Sequence, residues 1–98
     1  MATEGLIAAT DFCSYHSIEY AFISTLEDAG LVKFTLVNEQ KFIPFEQVQQ
    51  LEKMARLHQE LEINVPGIAS IMEILARVEL MQDEIRQLKN RLQFYESR

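Results

Sequence analysis

The apolar residues in the last third of the chain fall at Ile71, Ile74, Val78, Met81, Ile85, Leu88, Leu92 and Tyr95. The steps between them alternate between three and four, which is the repeat of a coiled-coil seam. No Gly or Pro occurs from Ala69 to Arg98 and most of the residues are good helix formers, so the pattern predicts an unbroken helix over 69–96. Such a helix would be about 42 Å long, against roughly 34 Å across a compact domain of this size. Either it overhangs its own domain or another chain covers its far end.

The first two thirds read as shorter elements. Leu6 to Ala9 is apolar, either a brief strand or the lead-in to a helix. Thr10 before Asp11, Phe12 and Cys13 reads as an N-cap with an acid in the first turn, and the helix would end near Tyr15 or His16. Ser17 is then available to cap a second helix, whose stripe runs Ile18, Phe22, Ile23, Leu26, Ala29 and stops at Gly30. Two short helices meeting at a tight turn make a helix-turn-helix unit. Leu31 to Val37 alternates like a strand, Asn38-Glu39 suits a turn, and Gln40 to Ile43 would return, giving a hairpin wing. Pro44 starts a third helix with Val48, Leu51, Met54, Ala55, His58 and Leu61 on its inner face, and Glu52, Lys53, Arg56, Gln59, Glu60 and Glu62 outside. Val65-Pro66-Gly67 breaks that run, and Pro66 suits the first turn of the long helix. The expectation is one mainly α domain over 1–98. It comprises a winged helix-turn-helix part at 6–64 and a coil-forming helix at 65–98.

Charge changes the picture. The net charge is −6, and its distribution matters more than its size. Residues 1–32 hold Glu4, Asp11, Glu19, Glu27 and Asp28 with no Lys or Arg, whereas 65–98 sum to zero. Such an N-terminal third repels phosphate, which argues against a nucleic-acid partner and for a basic protein. We therefore expect the partner-binding surface among Asp11, Glu19, Glu27 and Asp28, with Tyr15, Tyr20 or Phe45 as apolar anchors. The single cysteine, Cys13, has no partner for an internal disulfide. Nothing resembles a signal peptide or an apolar run of about 20 residues, so a cytoplasmic location and no membrane partner are expected.

Cys13 and His16 are three apart, but zinc takes four ligands and His58 is the only other histidine. Core packing for Cys13 and a helix-end position for His16 are the expectation, with no metal or cofactor. His58 reads as a partly buried histidine of the third helix. No Ser-His-Asp set, phosphate loop or carboxylate pair can be assembled, so no enzyme and no catalytic residue is expected.

The order helix-turn-helix, wing, helix, long helix resembles the MerR-type winged helical domain, and more closely the chaperone-modulator family CbpM. Thr10-Asp11-Phe12-Cys13 followed by Ile18 is similar to that family's Thr-Glu-Phe-Cys…Ile opening. Arg56-Leu57-His58-Gln59-Glu60-Leu61 with Pro66-Gly67-Ile68-Ala69 resembles its Arg-Leu-Arg-x-Glu-Leu…Pro-Gly-Ile-Ala segment. Asp83-Glu84-Ile85-Arg86-Gln87-Leu88-Lys89 with Arg91-Leu92 looks like its tail. The resemblance covers about residues 6–92. It implies a non-enzymatic protein that binds the J-domain of a CbpA/DnaJ-like co-chaperone and blocks its access to DnaK. The J-domain's basic helix would complement the acidic third. The chain departs from the family where Ser17 replaces a Gly that members can carry. It departs from DNA-binding MerR relatives in a second helix, Glu19 to Ser24, without a base, and a wing offering only Lys33 and Lys41. The alternatives that remain are a MerR-type DNA-binding transcriptional regulator and a structural coiled-coil adaptor with some other target.

The heptad seam admits a homodimer, a stripe docking on the third helix, or both in succession. Ile71, Ile74, Leu75 and Val78 are expected against the domain. A dimer would use Val78, Met81, Ile85, Leu88, Leu92 and Tyr95. A parallel pair would set Glu84 by Lys89 and Arg91 by Glu96, whereas the MerR resemblance implies antiparallel pairing.

Overall fold

A computed structural model describes residues 5–97, so Glu4 of the acidic set and Arg98 lie outside the described residues. The chain forms β1 (Leu6–Ala8), α1 (Ala9–His16), α2 (Tyr20–Asp28), β2 (Thr35–Val37), β3 (Gln40–Pro44), α3 (Phe45–Leu61) and α4 (Val65–Glu96). This is the MerR-like winged helical architecture. Its wing is a three-stranded antiparallel sheet rather than a bare hairpin, with order β1-β3-β2. β1 lies along β3 with Ile7 opposite Ile43, and β2 pairs with Thr35 opposite Phe42. The third strand supplies the support that two strands alone lack.

That strand also moves the start of α1. Ala8 is held extended opposite Phe42, so the helix begins at Ala9 with Ala8 as its uncapped flank, and Thr10 does not cap it. Ser17 does not cap α2 either. It closes α1 in the left-handed region (φ 56°), and the Ile18 N–H donates to the Cys13 carbonyl at 2.9 Å. The corner needs that positive φ to turn the chain, and a serine adopts it where glycine would be easier. Glu19 precedes α2 without a side-chain cap. Gly30 does end α2 with φ 79°, and Leu31 N–H reaches the Leu26 carbonyl at 2.9 Å. Asn38 and Glu39 both take positive φ, as a two-residue hairpin turn requires.

The strand expected from Leu31 starts only at Thr35. Val32 turns into the core, and the Lys33 N–H donates to Gln47 Oε1 at 2.7 Å instead of to a neighbouring strand. Pro44 ends β3 and stands just before α3, while Phe45 N–H donates to the Gly5 carbonyl at 2.9 Å. α4 begins at Val65, earlier than the periodicity implied. Asn64 caps it by accepting the Gly67 N–H at 2.9 Å. A Cβ on Gly67 would come within 2.7 Å of Ile63 Cγ2 and 3.1 Å of Asn64 Oδ1, so the Pro-Gly-Ile segment needs its glycine for this close approach.

The core is built from Ala9, Phe12 and Cys13 of α1, Ile18 in the corner, and Phe22, Ile23 and Leu26 of α2. Val32, Ile43, Leu51, Met54, Ala55 and Ile68 complete it. Leu61, placed on the inner face by its spacing, is 65% exposed because α3 ends there at the domain's edge. The same edge frees α4. Ile71 is half-buried and Met72 packs on the core, but Ile74, Leu75 and Val78 are exposed rather than docked. From Glu73 to the end of α4 every residue is exposed, an overhang of about 36 Å at 1.5 Å per residue. The molecule is accordingly 59 Å along its longest axis, with a radius of gyration of 17.8 Å. A compact chain of this length would have a radius of gyration near 13 Å.

Candidate functional site

The acids and aromatics expected at a binding surface separate into distinct places. Glu27, on the inner side of α2, accepts a hydrogen bond from Lys41 Nζ of β3 at 2.6 Å. That bond and the negative charge of Glu27, with Tyr20 and Asp28 nearby, hold the Lys41 ammonium above the usual lysine pKa. Lys41 also lies 5.6 Å over the Phe34 ring. Tyr20, Glu27 and Asp28 therefore form one group against the wing. Tyr20 is only 38% exposed there. Glu19 stands apart, at a mainly polar hollow with Phe22, His58 and Gln59.

Asp11 and Tyr15 form the second group. They are one turn apart on α1 and line a cleft with Ile7, Phe12, His16, Val48 and Glu52. Tyr15 is 85% exposed. The His16 ring lies tilted against Phe12 with centroids 4.3 Å apart, and its Nε2 is 3.5 Å from Glu52 Oε2 across the cleft. Glu52 reads from its spacing as an outside residue of α3, and only the packing of α3 against α1 makes it a wall of this cleft. Gln59 Nε2 ties the corner to α3 by donating to the His16 and Ser17 carbonyls at 3.2 and 3.0 Å.

Cys13 is buried, and burial pushes its thiol pKa up, which keeps it protonated and unreactive. Among the described residues no group of three or more His, Cys, Asp or Glu is placed to hold a metal. His58 is exposed rather than partly buried, because it sits at the domain surface stacked on Phe22 at 4.2 Å. Its Nδ1 lies 3.2 Å from the Ile63 carbonyl.

A third surface is α4 itself. Val78, Met81, Ile85, Leu88, Leu92 and Tyr95 are all exposed along one line, and so are Leu80 and Phe94, which the seam omits. Those two are separated by two heptads and share a face of the helix turned away from the seam. At the root of α4 lies an apolar cleft of Leu57, Leu61 and Leu75, rimmed by Lys53, Arg56 and Glu60. No described helix is long and apolar enough to cross a membrane.

A helix-turn-helix corner, a small sheet as wing and a long helix leaving the domain define a MerR-like regulatory module. The family described as MerR HTH family regulatory protein matches residues 7–90, and the chain belongs to it. Comparisons with curated proteins and with solved structures return no match.

Proposed function

We propose that the chain is a non-enzymatic chaperone modulator that works in the cytoplasm. It binds the J-domain of a CbpA/DnaJ-like co-chaperone and keeps that domain from DnaK. The observation that carries this reading is the Glu27–Lys41 pair. In a fold of this class the second helix and the wing are the parts positioned for a duplex. Here α2 contains no Lys or Arg, and the wing lysine nearest it is neutralised within the fold. With Lys33 the one cation left unpaired among the described residues of α2 and the wing, phosphate binding loses most of its driving force. An acidic surface instead complements a basic protein helix and speeds its encounter.

The module pairs with a second copy through α4. From Val78 to Tyr95 the seam's steps read three, four, three, four, three from either end. Two copies running in opposite directions therefore match Val78 with Tyr95, Met81 with Leu92 and Ile85 with Leu88. The same arrangement brings Glu84 beside Arg91, an attractive pair flanking the seam. A parallel pair also satisfies the charges, so the antiparallel order rests on the likeness to MerR-type proteins.

The second reading, a DNA-binding transcriptional regulator, is favoured by the family match alone. One experiment separates the two. J-domain-stimulated ATP hydrolysis by DnaK should fall as the chain is added, and a gel shift with duplex DNA at low salt should show no complex. Undiminished ATPase together with a shifted duplex would reverse the assignment.

A further inference from the structure

We infer that the J-domain docks in the cleft between α1 and α3, and that the element it inserts is an amphipathic helix with Lys or Arg flanking an apolar stripe. The inference rests on the function proposed above and names the surface that performs it. Three observations select this cleft.

The first is its composition. The floor is apolar, made of Phe12 with half-buried Ile7 and Val48, in a cleft of about 370 Å³. The exposed ring of Tyr15 stands at the rim. Phe45, also exposed, lies one turn before Val48 on α3, so the apolar surface continues along that helix. A helix laid in such a groove anchors through residues on one face, and aromatic side chains at the centre supply most of the energy.

The second is the placement of charge. Asp11 on α1 and Glu52 on α3 stand on opposite walls; Glu52 faces His16 at 3.5 Å, and no Lys or Arg lines the cleft. A helix whose basic residues flank its apolar stripe can place one cation toward each wall.

The third is the condition of the alternatives. Glu27 is engaged by Lys41, so the α2 surface has already used its most central acid. The apolar cleft at the root of α4 carries Lys53 and Arg56 on its rim, which repels a basic helix. The hollow by Glu19, Ser17 and Gln59 is mainly polar and offers little to bury.

The test is J-domain affinity for the full chain and three variants, combined with backbone amide shifts of isotope-labelled wild-type protein. Tyr15→Ala and Asp11→Lys change exposed side chains and should leave the fold intact. Each should weaken binding by about tenfold or more. Asp28→Lys, on the far end of α2, should change it by less than about twofold. The shifts should concentrate on α1 and on α3 from Phe45 to Glu52. Wild-type binding with shifts on α2, the wing or α4, or with the loss falling on Asp28→Lys, would overturn the cleft and leave the proposed function standing. No wild-type binding at all would overturn both.

Discussion

Leu88→Ala isolates the contribution of the α4 seam, because Leu88 touches nothing in its own domain. It is 60% exposed in the single chain, in a stretch of α4 where every residue is exposed. Burying a whole leucine side chain is worth about 1.5–3 kcal/mol, so covering the exposed part gives about 1–2 kcal/mol per copy. A symmetric pair loses this twice, about 2–4 kcal/mol, and each 1.4 kcal/mol is tenfold in affinity. The dimer should weaken by about thirty-fold to several-hundred-fold. Alanine is at least as good a helix former as leucine, so the isolated chain should keep its helix content. Sedimentation equilibrium over a concentration series reads the result directly. Wild type should populate a species of twice 11.4 kDa at micromolar concentration, and the variant should stay at 11.4 kDa until much higher concentration. A wild-type protein that sediments as one 11.4 kDa species, or a variant that pairs as well as wild type, would refute the seam.

Four further outcomes follow from the geometry. In a Cys13→Ser background, Met81→Cys mixed with Leu92→Cys should give a cross-link joining position 81 of one copy to 92 of the other if the helices run oppositely; a parallel pair would leave those positions about 16 Å apart and link 81 to 81 and 92 to 92 instead. Ser17→Gly should stabilise the fold by about 0.5–1 kcal/mol, since it relieves a left-handed residue at some entropic cost. Thermal melting should show this as a rise of a few degrees, and an unchanged or lower midpoint would contradict the strain. Asn64→Ala should cost about 1 kcal/mol in denaturant titration through the lost cap, and no loss would mean water replaces it. Gly67→Ala should cost about 1–3 kcal/mol from the clash with Ile63 despite the better helix former, and a stabilised variant would show that Ile63 can move aside.

What was legible in the sequence was what is encoded locally. The three-four steps of α4, the glycine after α2 and the Asn38-Glu39 turn each depend on residues a few positions apart, and each appears in the fold. Ser17 was ambiguous for a physical reason: a serine between two helices suits the cap of the second as well as the corner, and only the path of the chain decides. β1 became a strand because β3, more than thirty residues away, offers it an edge. That distance erases any local signal.

The candidate sites were less legible for the same reason. The acids of the first third were visible as a group, but Glu27 finds Lys41 only when the wing folds back onto α2. Glu52 joins Asp11 only through the packing of α3 on α1. Charge counted along a chain overstates how much of it remains free once the chain has folded.

The most direct test is an equilibrium titration of the intact chain against the purified J-domain of a CbpA-like co-chaperone, with duplex DNA as the parallel titrant, at low and high salt. We expect saturable binding to the J-domain that weakens as salt rises, and no heat or shift with DNA even at low salt. Tight, salt-sensitive binding to the duplex with an inert J-domain would contradict the account.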